Sequence, residues 1–208
     1  MDDKPGETMI MELATNSVRN TTFATADDDP YYEVVTRFWH PNITKINKLD
    51  PSTRIMSTVC EIDNSLGKQA KIRFARVGGK AVEKSTNAED VKTTHDKADQ
   101  KLSNANLGDW MSTEEILKVL PKKKGGIFID SEGVEYRWKT HNLNFLLIRC
   151  DDVGRLPMVV YHPYKRHFGF WRMRKHAKLE IRPQLFNELE RLIASYLLVE
   201  RQRRHHVF

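Results

Sequence analysis

Cysteine is scarce in this chain. Only Cys60 and Cys150 occur in 208 residues, so a disulfide-stapled scaffold is excluded. Both lie in strand-like apolar runs, which predicts buried free thiols acting as small hydrophobes. A redox or metal role would need companions at close spacing, and none is present. Long apolar runs are missing too. No stretch reaches the ~18 consecutive apolar residues of a membrane-spanning helix. The opening Met1-Asp2-Asp3-Lys4-Pro5-Gly6-Glu7 carries acids and a Pro-Gly where a secretory signal has basic residues and then an apolar run. These absences predict an intracellular protein, cytoplasmic or nuclear, with no transmembrane segment. On that expectation the sequons Asn20-Thr21-Thr22 and Asn42-Ile43-Thr44 are chance matches.

Catalytic signatures are equally sparse. His40, His95, His141, His162, His167 and His176 are scattered, and no pair has the Cys-x-x-Cys or His-Glu-x-x-His companions of a zinc motif. Gly78-Gly79-Lys80-Ala81 lacks the hydroxyl residue after lysine and the upstream glycine of a phosphate loop. There is no Gly-x-Ser-x-Gly elbow. Cys60 or Cys150 with His162 would need a spatial coincidence to form a nucleophilic pair. The sequence therefore assigns no catalytic residue, no metal ligand and no cofactor. It predicts a binding module rather than an enzyme.

What the chain does have is charge, unevenly placed. The net charge is +6. Residues 164–208 hold eleven Lys/Arg against four Asp/Glu, while the remainder is nearly balanced. The basic excess is thus a property of the last quarter of the chain, and it speaks to partners rather than to fold.

Period-two patterning dominates from Val18 onward. Strands are expected over 31–39, 44–49, 54–62 and 69–76, with a short one over 80–82. In 69–76, Ile72 and Phe74 share one face, and Lys71 and Arg73 the other. A hairpin is expected at Asp130-Ser131-Glu132-Gly133, with Val134, Tyr136 and Trp138 on its inner face. A second hairpin turns at Asp151-Asp152-Val153-Gly154, and a last strand covers 178–182. Residues 84–108 are rich in Lys, Asp, Thr, Asn and Ser and cannot bury enough surface to offset their ordering entropy, which predicts a polar mobile insertion. Ser112-Thr113-Glu114-Glu115 is a capping box, with Met111 and Ile116 placed as a staple, so one short helix is expected near 112–120, ended by Pro121. Residues 1–16 read as a flexible leader, 17–204 as a single domain, and 205–208 as a tail.

A final helix is expected after Pro183. Residues 192–199, Leu-Ile-Ala-Ser-Tyr-Leu-Leu-Val, carry no charge, and at ~3.6 residues per turn they point in every direction. Such a helix is buried all round or lies in a membrane. This stretch spans only ~12 Å, too short to cross a bilayer. The expected solution is a helix enclosed by sheet; an amphipathic helix on a sheet or dimer interface is the plainer alternative.

Several short motifs stand in a fixed order: Asn20-Thr21-Thr22-Phe23; Ser131 through Lys139 with Tyr136-Arg137-Trp138; Val160-Tyr161-His162-Pro163; Lys175-His176-Ala177-Lys178-Leu179-Glu180-Ile181-Arg182-Pro183; and Tyr196-Leu197-Leu198-Val199-Glu200-Arg201. This series resembles the fungal domain-of-unknown-function family numbered 6593, from about Val18 to Arg204. That family brings no established activity. It is similar in turn to the tubby-like superfamily, with the plant LURP-one-related proteins and phospholipid scramblases. The resemblance implies a mainly β fold, an antiparallel tubby-like β-barrel enclosing a hydrophobic C-terminal helix. Some tubby-like proteins bind phosphoinositides, so it also implies an anionic lipid headgroup as ligand.

The candidate site is the run from Tyr164 to Lys178. Lys165, Arg166, Arg172, Arg174, Lys175 and Lys178 are interleaved there with aromatics, Trp171 among them. Cations neutralise phosphate, and flat rings insert at a headgroup interface or stack on bases. The plainer account is a solvated loop whose aromatics plug the end of a barrel. The tail Arg201-Gln202-Arg203-Arg204-His205-His206 is most simply a complement to the helix dipole. The expected partner is an anionic phospholipid headgroup, with peripheral attachment to a membrane. A protein partner is the alternative, and nucleic acid is the least favoured.

Overall fold

In the computed structural model, which describes residues 7–65, 70–76, 107–120, 125–141, 144–154, 156–164 and 176–205, the alternating segments form thirteen strands of one antiparallel sheet. They are β1 (Met9–Leu13), β2 (Thr21–Ala24), β3 (Tyr31–Thr36), β4 (Ile43–Leu49), β5 (Met56–Asp63), β6 (Lys71–Phe74) and β7 (Met111–Ser112). Then come β8 (Leu117–Val119), β9 (Gly126–Ile129), β10 (Glu135–His141), β11 (Asn144–Arg149), β12 (Pro157–His162) and β13 (Ala177–Ile181). A 3-10 turn (Pro183–Glu188) with proline in its first turn leads into the helix α1 (Leu189–His205).

The strand order is β7-β6-β5-β4-β3-β2-β1-β13-β12-β11-β10-β9-β8. The first and last strands of the chain therefore meet at the middle, with Met11 opposite Leu179. This corrects the leader expected over residues 1–16 for Met9–Leu13, while residues 1–6 lie outside the described residues. Met9–Leu13 is a central strand, and Met11 and Leu13 are buried in the core. A five-residue strand is too short to announce its period in sequence; pairing on both sides is what holds it.

The closed barrel is also corrected. β7 pairs with β6 and β8 with β9, but the two edge strands do not pair with each other. They are joined instead by a single 3-10 turn, Thr113–Glu115. Both edges of the sheet thus belong to the short segment 111–119, which ties them together covalently where the ladder is interrupted. The expected capping box is present: Ser112 N–H donates to Glu115 Oε1 at 3.2 Å, and Ser112 Oγ accepts from Glu114 N–H at 3.2 Å. The expected helix over 112–120 is not. Ile129 N–H captures the Ile116 carbonyl at 2.8 Å, and Ile116 and Leu117 are buried, so the chain leaves the helical turn to pair with β9. Strand pairing with a buried face outweighs a cap worth ~1 kcal/mol.

The other hairpins match expectation. Gly133 has φ 83° in the β9–β10 turn, a conformation that suits glycine. Tyr136 and Trp138 face inward, Glu135 and Arg137 outward. Ile72 is buried and Lys71 exposed. Cys60 is a buried free thiol, but Cys150 is exposed, because β11 ends at Arg149 and the chain turns away from the core there. The expected strand over 80–82 and most of the insertion lie outside the described residues. Leu107, placed at the end of that insertion, is buried and bridges to Ala75.

Helix α1 carries the architecture. Leu192 through Glu200 are all buried, with no exposed side to this stretch. Tyr196 touches Phe23 of β2, Tyr161 of β12 and Trp138 of β10, with ring centroids 5.9, 5.1 and 6.2 Å away. Trp138 Nε1–H donates to Ser195 Oγ at 3.2 Å. From the other half of the sheet, Tyr32 of β3 and Lys48 of β4 reach Glu190, and Phe74 of β6 lies under Arg191. A helix touched from both halves of one sheet cannot rest on a flat face, so the sheet curls round it. Each fully buried Leu or Ile contributes ~1.5–3 kcal/mol of transfer free energy.

Glu190 gives this core a pH signature. Burial pushes its carboxyl up, but Lys48 Nζ at 2.8 Å, a backbone N–H and Tyr32 Oη–H at 3.0 Å outweigh that and hold it below the ordinary 4.5. Its folded pKa is therefore lower than its unfolded one. The stability it contributes is present above the ordinary value and is lost as pH falls through the folded one. Urea midpoints should decline with acidification below about pH 4.5. Lys48→Met should make that acid decline shallower; an unchanged slope counts against the coupling.

Candidate functional site

The β3–β4 hairpin begins as the sequence dictates and then departs from it. Tyr32, Val34 and Thr36 point inward along β3. A strand through residue 39 would have to send Phe38 and Trp39 to opposite faces. The chain turns out instead, with His40 N–H donating to the Arg37 carbonyl at 3.0 Å and Pro41 following. Phe38 is left 86% exposed and Trp39 57% exposed. Their rings meet edge to face at 5.0 Å, and the Arg37 guanidinium carbon sits 5.5 Å from the Trp39 centroid. The two rings pack on each other rather than on the core.

Below this loop lies a chain of polar contacts. Thr36 Oγ1 and Thr44 Oγ1 share a hydrogen bond of 2.8 Å. Asn20 Oδ1 accepts from Thr36 N–H at 3.0 Å, which fixes the β1–β2 loop to the same hairpin. Arg201, near the C-terminus of α1, donates from Nη2 to Thr44 Oγ1 at 2.6 Å and to the Val18 carbonyl at 3.4 Å. Burial, and then the neighbouring charge of Arg19, pull its pKa down to about 10. Arg19, Arg37 and Arg201 thus converge on one end of the sheet. Among the described residues none of the three is ion-paired with a carboxylate.

The neighbouring cations are occupied. Arg203 binds both oxygens of Glu200 at 2.6 Å, and Arg204 adds a third contact at 2.7 Å while holding Asn16. Glu200 itself is fully buried. The basic tail, expected to act as one group at the helix dipole, is therefore divided. Two arginines clamp a buried carboxylate, and Arg201 turns to the β3–β4 hairpin.

Of the sequence-derived candidates, Lys165, Arg166, Trp171, Arg172, Arg174 and Lys175 lie outside the described residues. Lys178 is on β13 and pairs with Glu180 at 2.7 Å, an interaction that leads the lowering of the Glu180 carboxyl pKa. The flanks of the basic-aromatic segment are placed by the register. β12 ends at His162, opposite Lys178, and Ala177 faces Leu13, where β1 enters the loop carrying Arg19. Both described flanks thus lie at the end of the sheet that bears Arg19, Arg37 and Arg201.

Sequence reasoning missed Phe38 and Trp39 by absorbing them into a strand. Their adjacency, followed by His40-Pro41, was the available signal. Among the described residues no group of three His, Cys, Asp or Glu could hold a metal ion. The Cys60 thiol is pushed up by burial, away from nucleophilic character. No helix among the described residues is long and apolar enough to cross a membrane.

Searches among curated proteins and among solved structures give no significant match. The sequence model of a family of unknown function, DUF6593, matches residues 16–205, from the β1–β2 loop to the end of α1. The chain belongs to that family, DUF6593.

Proposed function

We propose that this domain is a non-enzymatic module that docks on an anionic phospholipid surface by the end of the sheet bearing Arg37, Phe38 and Trp39. One observation carries the reading. Two large aromatic side chains stand in solvent, and Trp39 lies directly beside Arg37, which lacks a carboxylate partner among the described residues. Exposed rings gain free energy in the headgroup region, and each nearby cation adds ~1 kcal/mol on an anionic leaflet. The described flanks of the basic-aromatic segment that carries Lys165, Arg166, Trp171, Arg172, Arg174 and Lys175 lie at the same end, His162 opposite Lys178, and its composition suits the same surface. A sheet curled on an apolar C-terminal helix also supports the tubby-like relationship, some of whose members bind headgroups.

Vesicle flotation tests this. The protein should float with phosphatidylcholine vesicles carrying a phosphoinositide at low salt, stay behind with pure phosphatidylcholine, and be released by high salt. Trp39→Ala with Phe38→Ala should weaken binding by about tenfold or more, since one buried ring is worth over ~1.4 kcal/mol. Charge reversal at Arg172, Arg174 and Lys175 should weaken it further. Absence of flotation at low salt removes the reading. A gel shift with RNA in its place would favour nucleic acid, the same stacking and charge serving bases instead.

A further inference from the structure

Arg201 is an unusual place to leave a charge. Its guanidinium is drawn into the wall between β1–β2 and the foot of the β3–β4 hairpin, yet its partners there are a hydroxyl and a carbonyl. Among the described residues only Nη2 donates, although a guanidinium carries five N–H groups in a fixed fork. The helix C-terminus supplies about half a compensating charge at most. Arg19 adds a second cation, one residue from the Val18 carbonyl that Arg201 holds. Glu200 cannot help, because its carboxylate is already held by Arg203 and Arg204. Two neighbouring cations, one partly desolvated, make a place where an anion is worth more than in water.

We infer that Arg201 and Arg19 form a phosphate subsite at the foot of the β3–β4 hairpin, beneath Phe38 and Trp39. A planar carboxylate satisfies one arginine fork. A tetrahedral phosphate has further oxygens out of that plane, so it can face the Arg201 fork and meet Arg19 from the side. The subsite deepens the proposed surface reading by naming where one headgroup phosphate sits, but a free phosphate or pyrophosphate has the same chemistry.

The test uses the full chain with two probes, inorganic pyrophosphate by titration calorimetry and phosphoinositide vesicles by flotation. Arg19→Ala, an exposed side chain, and Arg201→Met should each weaken pyrophosphate binding by about tenfold, the loss of one charge-assisted contact. Lys118→Ala, on β8 and paired with Glu135, should leave it unchanged. Pyrophosphate binding without vesicle binding supports the subsite and removes the surface reading. Vesicle binding that survives Arg19→Ala and Arg201→Met keeps the surface reading and overturns the subsite. If Arg201→Met does not fold, Arg19→Ala decides alone, and an undiminished affinity overturns the pair. A wild-type chain that takes up neither probe overturns both.

Discussion

Trp138→Ala should lower the unfolding free energy by about 3–5 kcal/mol, the largest effect expected of any single truncation in this protein. The indole is buried on β10 between the sheet and α1. It stacks on Phe145 of β11 with centroids 4.7 Å apart, contacts Tyr196, and donates Nε1–H to Ser195 Oγ at 3.2 Å. Alanine removes the apolar area, leaves a cavity and takes away a partner of a buried hydroxyl. Ser195 keeps its own donation to the Leu192 carbonyl, so the hydrogen-bond part of the loss is the smaller one. At ~2–4 °C per kcal/mol for a domain of this size, the melting midpoint should drop by about 6–20 °C. Trp138→Phe should recover much of that by refilling the space. A drop of only a degree or two would mean that α1 does not depend on β10, and that the curled sheet is misread.

The second large effect concerns Glu200. Its carboxylate is fully buried, and Arg203 and Arg204 are its only ion-pair partners among the described residues. The two sides of this cluster are unequal. Arg203 and Arg204 remain 40% and 25% exposed, so without Glu200 they can turn to water. Glu200 has no such recourse. Arg203→Ala with Arg204→Ala should therefore cost about 3–5 kcal/mol, because it strands a buried charge. Glu200→Gln should cost much less. Equal losses from the two changes, measured by chemical denaturation, would argue that the arginines matter for packing rather than for charge. The clamp also bears on binding. Holding the end of α1 against Asn16 of the β1–β2 loop sets the position of Arg201 relative to Arg19.

Several features of the fold could be read from residue order. Tyr136 and Trp138 alternate with Glu135 and Arg137, and Gly133 marks their turn. Leu192 to Val199 carries no charge on any side, which forces enclosure. The capping box at Ser112 was also legible, but its consequence was not. A cap stabilises only the first turn, and whether the helix continues depends on what competes for the next residues. Here Ile116 and Leu117 are claimed by β9, the next strand of the chain, and a cap carries no information about that pairing.

The candidate site divides the same way. Its basic character was visible in the excess of arginine and lysine after residue 164. Which cations remain available was not, because that depends on which partner each side chain reaches in the fold. Lys178 has Glu180, Arg203 and Arg204 have Glu200, and Arg201 has, among the described residues, Thr44 and Val18, more than a hundred and fifty residues away. Phe38 and Trp39 were visible as aromatics, but their exposure follows from where β3 stops.

By itself, the order of residues determined the strand-and-helix alphabet, the buried C-terminal helix and the sign of the charge near it. These follow from local periodicity and composition, which need no partner to be read. Tertiary structure alone decided that Met9–Leu13 is the central strand, that the sheet is joined at its edges by a turn rather than by a ladder, and that Arg201 reaches the β3–β4 hairpin. Each of those depends on a contact between segments far apart in the chain, and no local pattern specifies such a contact in advance.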